Sequence, residues 1–304
     1  MSDWALKDLP SQSERVAIVT GTGGLGFEDA LALTQAGAEV IVAGRNPARG
    51  AQAIAAIRQK SPDGRVRFEL LDLASLASIA AFAERMVGDL KGVDLLINNA
   101  AVMKSPTRKT SSDGYELQFA TNYLGHFALT AHLLPLLRRG REPRVVTLSS
   151  VAARSGRIDF DDLQAERAYR PMAAYSQSKL ACLMFALELQ RRSDANGWGI
   201  TSLAAHPGIS RTDLLPNGSG RRSFAGVMRT YLWFLFQPAA QGALPTLYAA
   251  SSPLASGGGY YGPTRLGETR GPPGPAAIPA QARDEAIAAR LWTEAERLSG
   301  AAFQ

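Results

Sequence analysis

Apolar residues along this chain fall into short runs that alternate with stretches of helical spacing. Arg15 to Thr20 is a short apolar run followed at once by glycines, and Phe27 to Ala36 then carries helical spacing that stops at Gly37. Glu39 to Ala43 predicts a second strand. Asn46-Pro47 supplies a cap and a first-turn proline for a helix reaching Gln59. The alternation continues with a strand at Arg65 to Leu71 and a helix capped by Ser75 that reaches Leu90. Val93 to Asn98 predicts a strand, Tyr115 to Arg138 a long helix, and Arg144 to Ser149 a strand. A helix from Ala173 to Ala195 and a strand from Gly199 to Ala205 complete the series. Apolar strands separated by helices predict a parallel sheet covered on both faces, an α/β doubly wound fold with right-handed crossovers.

Beyond His206 the pattern loosens. Arg221 to Gln237 is basic and then aromatic-rich, Pro238 to Ala250 predicts a helix, and Tyr260-Tyr261 a last strand. Gly271 to Pro279 is rich in glycine and proline and predicts an extended arm, followed by a helix from Asp284 to Leu298. No segment reads as a linker, so residues 1–304 are expected to form a single domain. A C-terminal arm is expected around 264–304.

Composition narrows the function classes. The 304 residues are 46% hydrophobic and 20% charged, the profile of a soluble globular protein with a sizeable core. The net charge of +6 is mostly scattered arginine with no basic run, which argues against nucleic-acid binding and suits a phosphate-bearing cofactor. A single cysteine, Cys182, and three histidines leave no internal disulfide and no Cys/His metal site, so no metal is expected. That usage suits the cytoplasm. Met1 to Ser13 has no apolar run, and Phe224 to Phe236 is too short to span a bilayer and is interrupted by Arg229, so no integral membrane segment is expected.

Candidate chemistry sits where strands end. Gly21, Gly23 and Gly26 follow the first strand and open a helix, the arrangement in which backbone approaches a pyrophosphate at a helix N-terminus. The second strand ends in Gly44-Arg45-Asn46 with no acid to accept a ribose 2′-hydroxyl, and Arg45 suits a 2′-phosphate, so NADP(H) is expected over NAD(H). Asp72 and Asn98-Asn99-Ala100-Ala101 end the third and fourth strands, on the edge where open α/β sheets bind ligands. Ser149-Ser150 ends the fifth, and Tyr175 and Lys179 lie at i and i+4 on the next helix. An ammonium about 4 Å from a phenol favours the phenolate by roughly 4 kcal/mol at an effective dielectric near 20. Such a contact would lower the tyrosine pKa by about three units before desolvation. A tyrosine so tuned exchanges a proton with a carbonyl oxygen as hydride arrives, and Ser150 is placed to hold that oxygen.

In order and spacing, these residues resemble the short-chain dehydrogenase/reductase family over nearly the whole chain. The resemblance rests on the glycine turn, Asn98-Asn99-Ala100, Asn122 in Asn122-Tyr123-Leu124-Gly125-His126-Phe127, Ser150, Tyr175/Lys179, and His206-Pro207-Gly208 through Thr212. It implies a single Rossmann-type domain with a seven-stranded parallel sheet and helices on both faces. It also implies Tyr175 as acid/base, Ser150 orienting the carbonyl, Asn122 positioning a proton-relay water, and Lys179 holding the nicotinamide ribose while lowering the tyrosine pKa. The cofactor would lie against Gly21, Thr22, Gly24, Leu25, Gly26, Arg45, Asp72, Leu73, Asn99, Ala100, Tyr175, Lys179, Pro207, Gly208 and Thr212.

The gap between Ser150 and Tyr175 containing Asp159-Phe160-Asp161-Asp162-Leu163, with Tyr260-Tyr261-Gly262-Pro263, looks like the retinol-dehydrogenase-like branch. That branch implies a small apolar carbonyl or alcohol substrate under a lid around 213–237, where Met228, Leu232, Trp233 and Phe236 suggest a bulky ligand. The expected activity is carbonyl reduction with NADPH. The alternatives are an NAD-dependent secondary alcohol or hydroxysteroid dehydrogenase and a non-catalytic NADP(H)-binding redox sensor. A homo-oligomer is compatible with each. Two departures stand out: the glycine turn has two residues, Thr22 and Gly23, where the family has three, and Ala101 stands where the family's motif ends in glycine.

Overall fold

Short runs of branched and small apolar residues can be buried on both faces only inside a sheet that is itself covered on both sides, and the molecule is built in this way. The computed structural model describes residues 3–103, 105–209 and 237–303. Strands β1 (Val16–Thr20), β2 (Glu39–Gly44), β3 (Val66–Leu70), β4 (Leu95–Asn98), β5 (Arg144–Leu148), β6 (Thr201–Ala205), β7 (Tyr260–Arg265) and β8 (Arg270–Pro275) form one sheet in the order β3-β2-β1-β4-β5-β6-β7-β8. The first seven are parallel, and β8 runs antiparallel to β7. β1 pairs with β2 on one side and β4 on the other, so the strand order reverses beside it and opens a crevice at its carboxyl end.

Helices α1 (Gly24–Gln35), α2 (Pro47–Lys60) and α7 (Ala239–Ser251) close one face over a core including Leu31, Ile54, Ile57 and Leu247. The opposite face is closed by α3 (Leu76–Asp89), α5 (Gly125–Leu137), α6 (Pro171–Asn196) and the C-terminal α8 (Glu285–Ser299), with a core including Phe82, Phe127, Leu183 and Trp292. Local chemistry sets the ends. Asn46 accepts from Arg49 N to start α2, Ser75 accepts from Ser78 N to start α3, and Gly197 closes α6 in the left-handed conformation.

Three expectations are corrected. The sheet has eight strands among the described residues, not seven, because the expected extended arm at Gly271 to Pro279 begins as β8. Its prolines lack donors, which an antiparallel edge strand tolerates. The long helix expected over Tyr115 to Arg138 is interrupted: α4 (Leu117–Phe119) passes into a π turn at Ala120–Leu124 before α5 begins. Helix α1 also begins at Gly24, three residues ahead of Phe27. The lid expected around 213–237 lies outside the described residues except for Gln237.

One core residue contradicts its surroundings. Asp29 of α1 is fully buried, and neither carboxylate oxygen has a hydrogen-bond partner among the described residues. Burial, with Glu28 adding like charge, holds its pKa well above the ordinary value. A carboxyl whose folded pKa is raised lowers net stability as pH rises through its unfolded value near 3.8 and up to the folded one. Asp29→Asn is therefore expected to stabilise the fold by on the order of 1–3 kcal/mol at pH 7.5. The gain should vanish near pH 4, where the native carboxyl is already protonated. Denaturant unfolding of both chains at the two pH values measures this, and an equal gain at both would contradict it.

Candidate active site

The glycine turn after β1 must reverse the chain within a short span. Gly21 has φ 104° and Gly24 φ 54°, left-handed conformations that glycine adopts without steric cost, and the pair closes a turn shorter by one residue than the family's. At Gly26 an added Cβ would lie 2.5 Å from Asn99 Nδ2 and 2.8 Å from the Gly21 carbonyl oxygen. Gly23 caps α1 without a side-chain hydrogen bond, which leaves its first amides for an external acceptor. A cradle with no room for a Cβ, beneath an uncapped helix start, fits the pyrophosphate of a dinucleotide. Thr22 stands over the end of β2, where an added Cβ on Gly44 would meet its methyl at 2.8 Å. Arg45 follows Gly44 and is exposed, with no ion pair among the described residues.

The floor of the site is a buried polar knot at the end of β1. The Thr20 hydroxyl accepts from the amides of Asn99 (2.9 Å) and Ala100 (3.0 Å), while Asn99 Nδ2 donates to the Thr20 carbonyl at 2.7 Å. His126 lies beneath, with Nε2 2.9 Å from Thr20 Oγ1 and Nδ1 2.9 Å from the Asn122 carbonyl oxygen. A carbonyl only accepts, so Nδ1 carries the proton, and Thr20 donates to a bare Nε2. Burial pushes His126 down to about 4, in keeping with that neutral tautomer.

Asn122, in the π turn, is held from all sides. Its side chain accepts from Val102 N (2.8 Å) and donates to the Val102 carbonyl (3.0 Å) and Ser178 Oγ (2.9 Å). Ser178 in turn donates to the Tyr175 carbonyl at 2.8 Å, so the knot reaches the start of α6. The Asn122 carbonyl takes both His126 Nδ1 and Cys182 Sγ (3.1 Å), so both of its lone pairs have donors.

Tyr175 and Ser150 are brought together as the sequence suggests, Tyr175 buried and close enough for the Ser150 side chain to act on its pKa. The expected lowering of the tyrosine pKa is not found. Burial pushes Tyr175 up to about 12, against a smaller lowering by the Ser150 hydrogen bond. Lys179, itself lowered by burial, donates to the Leu148 carbonyl at 2.8 Å. The site thus holds a protonated phenol against a serine hydroxyl, an arrangement able to donate a proton to an oxygen placed between them.

The remaining site residues lie on the same carboxyl edge. Asp72 is half-buried and its Oδ1 accepts from Ala74 N at 3.0 Å, while Leu73 is buried behind it. Pro207 and Gly208 follow β6, and Gly208 has φ 65°. Thr212 lies outside the described residues. Sequence reasoning assigned no role to Thr20, His126, Ser178 or Cys182. His126 four residues after Asn122, and Cys182 three after Lys179, were the available signals. A groove of about 450 Å³ lined by Ile158, Phe160, Leu180 and Arg290 among others opens toward α8 and contains neither Ser150 nor Tyr175. Among the described residues no cluster of His, Cys, Asp or Glu could hold a metal ion, and no helix is long and apolar enough to cross a membrane.

Known proteins share this organisation. Residues 15–221 match the short chain dehydrogenase family. A polyprenol dehydrogenase from Mus musculus is 43% identical over 96% of this chain and 86% of its own length, and retinol dehydrogenase 13 from the same organism is 42% identical over 95% and 85%. A crystal structure of an uncharacterized protein from Mycobacterium paratuberculosis superposes with TM-score 0.83 at 39% identity, covering 100% of both chains. A short chain dehydrogenase from Shigella flexneri complexed with NADP shares the fold at TM-score 0.62 and 21% identity, covering 83% of this chain and 97% of its own.

The buried histidine gives a pH dependence. A His whose folded pKa lies near 4 contributes stability that is complete above the unfolded value of 6.5 and is lost as pH falls from there toward 4. The loss attributable to His126 is on the order of 3 kcal/mol. Urea unfolding at pH 7.5 and 4.5 should show that decline in the wild type and a shallower one in His126→Gln. Parallel declines would remove His126 as its cause.

Proposed function

The chain belongs to the short-chain dehydrogenase/reductase family, in its retinol-dehydrogenase-like branch, and from that premise we propose that it is an NADP(H)-dependent reductase of bulky apolar ketones or aldehydes. The observation that carries the reading is the buried Tyr175 phenol brought beside Ser150 at the carboxyl edge of the sheet. A phenol beside a second hydroxyl can give its proton to a carbonyl oxygen held between them, the acid's part in reduction, and burial alone works against that transfer by raising the phenol's pKa.

The nicotinamide, when bound, supplies the hydride that the carbonyl carbon accepts. Tyr175 gives its hydroxyl proton to the carbonyl oxygen, which becomes the alcohol, and the Ser150 hydroxyl holds that oxygen in place. Gly21, Gly26 and the first amides of α1 would hold the pyrophosphate, and Arg45 a 2′-phosphate. Support for NADP(H) is the exposed Arg45 with no acid at the end of β2. Polyprenol and retinol, named for the relatives, are apolar alcohols, which supports an apolar substrate class for this chain.

Those dehydrogenase names also favour a second reading, oxidation of an apolar alcohol with the same residues run in reverse. Comparing initial rates in both directions with a size-graded panel of carbonyls and their alcohols separates the two. In the reductive direction Tyr175→Phe should lower kcat at least about a hundredfold while NADPH still binds. Arg45→Ala should raise KM for NADPH about tenfold and leave KM for NADH unchanged. Strict NADH use by the wild type would overturn the role of Arg45, and tight NADPH binding without turnover of any carbonyl or alcohol would point to a redox sensor.

A further inference from the structure

The β7–β8 hairpin reaches back over the active-site edge. At its tip Leu266, Gly267 and Glu268 have φ of 51°, 65° and 65°, so two non-glycine residues sit in the left-handed region. Each of these carries a steric cost and persists only where other contacts hold it. Glu268 supplies such contacts. Its Oε2 lies 3.0 Å from His206 Nε2 and 2.6 Å from an Arg154 guanidinium nitrogen, and its Oε1 accepts from Ala277 N at 2.9 Å. Arg154 belongs to the short turn Val151–Ser155 that begins at Ser150, and it donates to the Gly267 carbonyl at 3.3 Å.

His206 follows β6, and its other nitrogen, Nδ1, accepts from Gly208 N at 3.2 Å. An amide only donates, so Nδ1 is bare and the ring proton resides on Nε2, which donates to Glu268. Burial pushes His206 down to about 4, in keeping with the neutral ring. The hairpin holds the next residues as well. The Thr269 carbonyl accepts from Ile209 N at 2.9 Å, and an added Cβ on Gly208 would lie 2.4 Å from that oxygen. Gln237 grips the turn from the other side, donating to the Pro207 carbonyl at 2.6 Å.

We propose that Glu268 is a positioning residue for the active site: by fixing the His206 tautomer it holds the Gly208 turn, and through Arg154 it ties that turn to the segment carrying Ser150. The inference rests on the reading above in one respect, that the Pro207-Gly208 turn lies against the cofactor. With a carboxylate at 268, His206 presents Nδ1 as an acceptor to Gly208 N. Without it the imidazole is free to exchange tautomers or rotate, and the Gly208 amide loses its acceptor. The two walls of the site, after β5 and after β6, then lose their shared anchor.

Glu268→Ala and Glu268→Gln in the full chain test this, since the glutamine carbonyl can still accept from Nε2. Three quantities are measured for each: hydrogen exchange of the segment around 206–209 without ligand, NADPH affinity by fluorescence titration, and the thermal midpoint. Glu268→Ala should exchange faster at Gly208 and bind NADPH about tenfold more weakly, with a midpoint within a few degrees of wild type. Glu268→Gln should recover both properties to within about threefold. Wild-type exchange and affinity in Glu268→Ala would overturn the proposal. So would a glutamine variant as defective as the alanine one with an equally lowered midpoint, since the carboxylate would then only hold the hairpin together. If the wild type binds no nicotinamide nucleotide, the functional reading fails, and the exchange data still decide whether Glu268 holds the turn.

Discussion

The hydroxyl of Thr20 is the point on which the site depends. It sits where β1 ends between β2 and β4, the place where the strand order reverses, and it has no access to solvent. A buried hydroxyl must be satisfied by protein, and each amide that leaves a strand end there must find an acceptor. Thr20 meets both demands by accepting from Asn99 and Ala100 and donating to His126. The Asn122 carbonyl sets the imidazole tautomer that accepts from Thr20, and the Asn122 side chain bonds Ser178 and thereby the second turn of α6. The end of β1 and the segment of α6 carrying Tyr175 are thus held in register by one directional chain of hydrogen bonds. Apolar packing has no direction and could not do this.

The parts of this arrangement that repeat with a period were legible in the sequence. Strand runs such as Val16–Thr20 and Arg144–Leu148 are apolar because both faces are covered, and the glycines at 21 and 26 mark a turn and a close approach. Tyr175 and Lys179 were visible as an i, i+4 pair. What was not legible depends on partners distant in sequence. Nothing in the helical spacing of Tyr115 to Arg138 marks the π turn, because widening the turn at Asn122 answers to bonds from Val102, Ser178 and Cys182. β8 was hidden for the opposite reason. Pro272, Pro273 and Pro275 argue against a strand locally, yet β7 offers an antiparallel partner in register at Pro263 and Tyr261. Glu268 looks like a surface charge until His206, 62 residues away along the chain, is placed against it.

The electrostatics of α6 also ran against the simplest reading of spacing. An ammonium one helical turn from a phenol ought to draw its proton off, and in water-poor surroundings the attraction would be larger still. Distance along a helix does not determine where a flexible amine points, and Lys179 points at the Leu148 carbonyl. Burial then acts on each group alone. It raises Tyr175, lowers Lys179 and raises Cys182, so within two turns of one helix three ionisable groups are all biased toward their neutral forms. Such a site costs least when it contains no net charge, and it responds strongly to any charge brought into it, because little water remains to screen the field. A cationic group entering beside Tyr175 would lower the phenol's pKa and favour proton release toward the Ser150 side. A neutral one would leave it a proton donor.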